Sequence, residues 1–307
     1  MPVKEKIIIA IHGLANKPPE EELRNGWKSS IDEGLAHLEK GPYKPYIFEL
    51  VYWAKYLYAN PLHRMDHFDF DPLYNKQPYK EAEPGAIQRY NDRFLDEVRG
   101  VVGDFIDNGL DWVRENLGVT GLGDFLLRNK IKDLQYYWDT SRQLMDDDKV
   151  KKPAAEVLQG SLRRAILKYA DANKYEIMII AHSMGTIISY DVLRDLGKEF
   201  ENLTVPYYIT IGSPLGLPLI KSKIKRDRWD NKVRTPTAVT KGWLNFSDKR
   251  DPVAIDSHLR DDYGMNKHKV QVEDDLVSND YPGNHHKSYG YLRTPELSKA
   301  VAAFLRS

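Results

Sequence analysis

The chain of 307 residues has no cysteine, which excludes disulfides, a thiolate nucleophile and cysteine metal sites. It also lacks net charge, since 45 Lys and Arg residues balance 45 Asp and Glu. A bulk nucleic-acid binder needs a basic face, so the balance predicts no nucleic-acid partner. No apolar run approaches the roughly 20 residues that span a bilayer, so no transmembrane segment is expected. Ile7-Ile8-Ile9-Ala10-Ile11 after Lys4 and Lys6 mimics a signal peptide. It is too short for one, lacks a small-residue cleavage site and is interrupted by His12-Gly13. A soluble cytoplasmic protein is the expectation. Internal repeats and low-complexity tracts are absent too. The length suits one large α/β domain, or one domain with a substantial insertion.

What is present is an alternation of short apolar runs with helical patterns. Ile7 to Ile11 reads as a strand, and Glu20 to Leu38 as a helix with Leu23, Trp27, Ile31 and Leu35 on one face. Tyr46 to Trp53 reads as a second strand, and Ala154 to Ala170 as a helix. Further strands are expected at Ile177–Ile180, Tyr207–Ile211, Trp243–Phe246 and Lys269–Val272, and a last helix at Pro295–Leu305. Runs buried on both faces and alternating with helices predict a mostly parallel sheet covered by helices on both faces. In such sheets ligands bind beyond the strand carboxyl ends, where the polar residues collect here. Residues 55–153 break the alternation, with a turn-rich opening from Pro61 to Pro84 and many aromatics. The division expected is a core of 1–54 and 154–307 and a helical cap insertion at 55–153, closed by an exposed loop at Asp146–Lys152.

The most informative segment is Ala181-His182-Ser183-Met184-Gly185, which follows Ile177-Met178-Ile179-Ile180 and precedes a helical pattern through Ile187, Ile188, Val192, Leu193 and Leu196. Strand, sharp turn and helix form the context that lifts a serine hydroxyl above the sheet edge. Small residues two positions away on each side let strand and helix approach, with Ala181 in place of the commoner glycine. A serine hydroxyl needs a neighbouring base, and the base needs an orienting carboxylate. The carboxylate candidates lie after the Trp243 run. Asp251 is favoured because Pro252 fixes the chain and Val253 anchors it, and Asp248 is the rival. The base candidates are His286, favoured, and His285, in the polar loop before the final helix. Backbone N–H groups of Leu14 and Met184 are the expected oxyanion donors. The chain order Ser183, Asp251, His286 is that of the α/β-hydrolase arrangement.

The segments Ile9–Leu14, Ala181–Gly185, Ile211–Leu215, Asp251–Val253 and His286–Leu292 resemble the lipase/esterase branch of the α/β-hydrolases. The elbow is similar to those of small bacterial lipases. The resemblance covers residues 1–54 and about 154–307, and the segment 55–150 matches no family pattern. It implies Ser183 as nucleophile, His286 as general base and acid, and Asp251 as orienting carboxylate. It implies a serine esterase or lipase cleaving carboxylic esters through an acyl-enzyme, with apolar acyl groups favoured. No cofactor and no metal are needed for that chemistry. An acyltransferase or thioesterase using the same three residues is the alternative, and a non-catalytic binding or scaffold protein is the alternative of another class. The expected partner is a small-molecule ester or lipid, with transient membrane-surface contact.

Three further features have bland readings. His63, Asp66, His67, Asp69 and Asp71 offer metal-ligand chemistry, but Pro61 and Pro72 disfavour one long helix, and a polar surface is the simpler reading. Trp53, Tyr56, Tyr58, Phe105, Trp112, Phe125, Tyr136, Tyr137 and Trp138 suit cap packing, or an acyl-binding wall. Gly118, Gly121 and Gly123 beside them would let a lid move. Lys221 to Arg228 is a short basic run that reads as a solvated loop. His37, His258 and His268 are expected at the surface, and His12 as a residue that shapes its loop.

Overall fold

The computed structural model describes residues 4–38, 41–62, 79–90, 132–224, 233–254 and 256–307. Six strands form one sheet: β1 (Glu5–Ile11), β2 (Tyr46–Val51), β5 (Tyr175–His182), β6 (Val205–Ile211), β7 (Val239–Ser247) and β8 (Val272–Leu276). Their order is β2-β1-β5-β6-β7-β8, and every pairing is parallel. The short β3 (Gln143–Met145) and β4 (Lys151–Pro153) pair antiparallel apart from it.

Alternate residues of the central strands feed two cores. Ile7, Ile9, Ile11, Ile177 and Ile179 pack with Leu158, Leu162 and Ile166 of α3 (Ala154–Lys168) and with Ile187, Ile188 and Leu193 of α4 (Met184–Glu199). Ile8, Ala10, Met178 and Ile180 pack on the other face with Trp27 and Ile31 of α1 (Glu20–His37), Tyr289 and Leu292 of α6 (Ser288–Leu292), and Leu297, Val301 and Phe304 of α7 (Pro295–Arg306). Burial on both faces is why β1 reads as an unbroken apolar run. This order, with helices on both faces, is that of a doubly wound parallel α/β sheet. β1 and β5 lie side by side, yet the chain leaves them towards opposite edges, so their carboxyl ends meet at a topological switch point, where ligands bind in sheets of this kind.

Two local expectations need correction. The last strand is Val272–Leu276, not Lys269–Val272. Residues 266–270 form a turn instead, in which Asn266 Oδ1 accepts from the amides of His268 (2.9 Å) and Val270 (3.1 Å) and Lys269 takes φ 62°. β8 is an edge strand and presents Glu273 and Asp275 to solvent, so it carries no apolar run. β7 begins at Val239, four residues before the apolar stretch, where it pairs with Val205 of β6; its polar start includes Lys241, which pairs with Glu176 at 2.5 Å. The segment Asp146–Lys152 is largely exposed, as expected, but it is an ordered hairpin turn: Asp146 Oδ1 caps the amides of Asp148 (3.0 Å) and Val150 (2.9 Å) between β3 and β4.

Much of the segment 55–153 lies outside the described residues, including His63, Asp66, His67, Asp69, Asp71, Phe105, Trp112, Gly118, Gly121, Gly123 and Phe125. Its described end, α2 (Lys132–Trp138), packs against α3, and Tyr137 is buried in the same core, where its hydroxyl donates to Asp191 at 2.6 Å. Trp53 joins that core as well. Lys221 of the basic run stands on α5 (Pro218–Lys223) and pairs with Asp262 at 2.7 Å, while residues 225–228 lie outside the described set. No helix among the described residues is long and apolar enough to cross a membrane.

Candidate active site

β5 ends at His182, and Ser183 follows with φ 54° and ψ −128° before α4 starts at Met184. A β-carbon in that region of backbone space is strained, so surrounding contacts must hold it there. The Ser183 amide donates to Ile211 O of β6 at 3.2 Å. Its carbonyl accepts from both the Thr186 amide (2.9 Å) and Thr186 Oγ1 (2.7 Å). Ala181 is fully buried, and its methyl fits the core.

The loop after β1 lies directly against this turn. A Cβ on Gly13 would fall 2.5 Å from Ser183 Cβ, and one on Gly185 would fall 2.7 Å from the carbonyl oxygens of Ile11 and His12. Only glycine permits both approaches. They bring the Ile11–Gly13 turn against Ser183 and Gly185, and the amide of Met184, the first residue of α4, has no acceptor inside the helix. His12 builds the loop: Nδ1 donates to Gly13 O (2.9 Å), while Nε2 accepts from the amides of Trp53 (3.1 Å) and Ala54 (3.3 Å). Burial, aided by Lys17, holds this imidazole well below its usual pKa, so it is neutral.

The favoured acid and base are in contact. His286 Nδ1 lies 2.9 and 2.8 Å from the two carboxylate oxygens of Asp251. An ionised carboxylate only accepts, so Nδ1 carries the proton and Nε2 is the basic nitrogen. Asp251 is 1% exposed, and its Oδ1 also accepts from the Val253 amide at 2.8 Å. The rivals are occupied elsewhere. Asp248 accepts from the Arg250 side chain (3.0 and 2.7 Å) and from the amides of Arg250 (2.8 Å) and Asn279 (2.6 Å). His285 Nδ1 is bound to Asn279 O at 3.1 Å.

Two residues of this site carry no role in the sequence reading. Tyr291 is fully buried; its hydroxyl donates to Asp251 Oδ2 at 2.7 Å and accepts from the Asp248 amide at 2.9 Å. His182 donates from Nε2 to the His286 carbonyl at 2.8 Å, with the two imidazole centroids 4.6 Å apart. Burial and then the His286 charge lower the His182 pKa well below the usual value. It therefore ties the base segment to the serine turn as a neutral donor. Buried Tyr and His each need a polar partner, which is the one sequence signal that pointed at them. His37, His258 and His268 are exposed. The described residues hold no group of three or more metal-ligating side chains.

No family model matches the chain, and no curated protein matches it. Among solved structures it is similar to Est1E from Butyrivibrio proteoclasticus, with 11% identity over 100% of this chain and 90% of that one, at a TM-score of 0.37. It is also similar to an S-formylglutathione hydrolase from Agrobacterium tumefaciens, with 8% identity over 99% and 84% of the two chains, at a TM-score of 0.34. At those scores neither likeness carries an argument, and the fold assignment rests on strand order and on the turn at Ser183.

Proposed function

We propose that this protein is a serine hydrolase that cleaves carboxylic esters through an acyl-enzyme. The observation that supports the reading is the strained Ser183 turn at the carboxyl end of β5, together with a buried Asp251–His286 pair whose segment His182 ties to that turn. In this reading His286 Nε2 takes the Ser183 proton as Oγ attacks the ester carbonyl. Asp251 holds the imidazole in the Nδ1–H tautomer and stabilises its cation. The Leu14 and Met184 amides receive the oxyanion. His286 then returns the proton to the leaving alcohol, and a second cycle with water releases the acid. Tyr291 and His182 are positioning residues, one for the carboxylate and one for the base segment. Residues 55–153 serve as a cap over the switch point, with residues 1–54 and 154–307 as the catalytic core. The small-molecule ester is the partner of this site.

The test is hydrolysis of p-nitrophenyl esters with acyl chains from two to sixteen carbons, with Ser183→Ala beside the wild type. A fluorophosphonate probe is run in parallel. Turnover and labelling that both vanish in Ser183→Ala support the reading, and the chain-length profile reports the acyl pocket. A folded wild type that neither labels nor hydrolyses any ester refutes it.

A further inference from the structure

The loop after β1 carries a backbone strain of its own. Among the described residues, four that are not glycine take positive φ: Ala15 (67°), Lys149 (61°), Ser183 (54°) and Lys269 (62°). Lys149 and Lys269 lie in exposed turns capped by Asp146 and Asn266. Ser183 is the proposed nucleophile, and Ala15 directly follows Leu14, the proposed oxyanion donor. The left-handed region disfavours an alanine by a factor of about 5 to 30, because its Cβ crowds the following carbonyl. Such strain persists only where neighbouring contacts hold it, and it concentrates at functional sites.

Contacts on both sides of Ala15 come from one stretch, residues 52–62. Before it, His12 Nε2 accepts from the Trp53 and Ala54 amides, and the Trp53 indole donates to His12 O at 2.9 Å. After it, Asn16 Nδ2 donates to Asn60 O at 2.8 Å, and the Leu62 amide donates to Lys17 O at 2.8 Å. The Tyr52 hydroxyl donates to Pro18 O at 2.9 Å. Asn16 Oδ1 accepts from the Lys17 amide at 2.8 Å, which fixes the carboxamide so that Nδ2 faces Asn60. The Lys17 ammonium donates back to Leu14 O across the same turn. Asn16 therefore ties the strained turn to the first residues of the insertion.

We propose that Asn16 is a positioning residue for the oxyanion hole: its bond to Asn60 O holds Ala15 in the left-handed region and so keeps the Leu14 amide in place for the oxyanion. This rests on the serine hydrolase reading above and adds the turn at 57–62 to the apparatus of that site. Without the tie, Ala15 relaxes to negative φ, the turn opens and Leu14 moves with it.

The test follows p-nitrophenyl butyrate turnover by the full chain, with active sites counted by fluorophosphonate labelling run to completion. Asn16→Ala is expected to lower kcat per site about 10-fold with KM nearly constant, less than the roughly 100- to 1000-fold that follows complete loss of a donor. It is also expected to weaken an alkyl trifluoromethyl ketone, whose serine adduct carries an oxyanion, by a similar factor. Asn16→Asp retains the acceptor for the Lys17 amide but not the donor to Asn60, and is expected to match Asn16→Ala. It carries the test should Asn16→Ala fail to fold. Ala15→Gly removes the conformational penalty, so adding it to either variant is expected to recover at least about 3-fold in kcat. A merely structural Asn16 gives no such rescue, because glycine adds freedom to a loop already loosened. Wild-type kcat per site in folded Asn16→Ala or Asn16→Asp overturns the proposal, as does a double variant that recovers nothing. A wild-type Ser183 that does not label, or hydrolysis that persists in Ser183→Ala, sinks the hydrolase reading itself before any loop variant is compared.

Discussion

Replacing Asp251 by Asn changes one atom at the carboxylate, and the neighbours of that atom set the outcome. Oδ1 keeps the Val253 amide at 2.8 Å, so the loop retains its turn. The amide nitrogen then falls where Oδ2 stood, facing His286 Nδ1 at 2.8 Å and the Tyr291 hydroxyl at 2.7 Å. A donor now opposes the Nδ1 proton on that side, and the remaining acceptor, Oδ1 at 2.9 Å, is shared with the Val253 amide. The imidazole relieves this by moving its proton to Nε2, the nitrogen that must accept from Ser183. A wrong tautomer of this kind costs roughly 10,000-fold in turnover, or ~5.5 kcal/mol of transition-state stabilisation. Asp248→Asn is the control. Its carboxylate serves four N–H donors from Arg250 and Asn279, so the amide leaves donors facing donors in a structural turn. We expect that variant to lose ~2–4 kcal/mol of stability, and a Tm drop on the order of 5 °C, while retaining most activity. Turnover of p-nitrophenyl butyrate and thermal melts of both variants decide the matter. If Asp248→Asn loses activity and Asp251→Asn keeps it, the assignment of the acid is wrong.

The same geometry fixes three more outcomes. Tyr291→Phe removes a donor to Asp251 and orphans the Asp248 amide, so kcat should fall about 10-fold with KM nearly constant; an unchanged kcat in steady-state assays would discard the positioning role. Gly13→Ala places a methyl 2.5 Å from Ser183 Cβ and should cut fluorophosphonate labelling more than 100-fold while circular dichroism stays native; full labelling would mean that the β1 loop is free to withdraw. His12 and His182 both have folded pKa values held below the unfolded value near 6.5. Below that pH the unfolded chain takes up protons that the fold refuses, so stability falls with acid, by up to ~1.4 kcal/mol per pH unit for each imidazole. Melts from pH 7 to pH 5 should show the slope, and His12→Asn should flatten it.

The parts of the fold that could be read in the sequence are those whose cause is local. β1 and β5 are buried on both faces, so their residues form apolar runs, and α1 follows Pro19 with an acidic first turn that suits a helix N-terminus. The Ser183 turn is likewise written in adjacent residues. β8 is hard to place from sequence because an edge strand alternates charged with apolar residues and looks like a loop. His182 and Tyr291 acquire their roles only when β5 meets the 285–292 segment, more than a hundred residues downstream of His182. No periodicity reports a contact of that range.

The two doublets that the sequence left open, Asp248 with Asp251 and His285 with His286, differ in what their members bind. Asp248 and His285 are held by Arg250 and Asn279, whereas Asp251 and His286 bind each other. Asn279 is the residue that divides them. Its amide goes to Asp248, its carbonyl to His285 Nδ1 and to the Arg250 side chain, and its side chain to the carbonyls of His285 and Lys287. One member of each doublet is thereby built into a rigid frame around Asn279. The other member of each, Asp251 and His286, faces its counterpart across 2.8 Å. In the proposed mechanism this frame holds the pair in register and leaves His286 Nε2 to the serine. The members of each doublet lie within three residues of one another, so no spacing or periodicity separates them, and their difference lies in the long-range contacts made around Asn279.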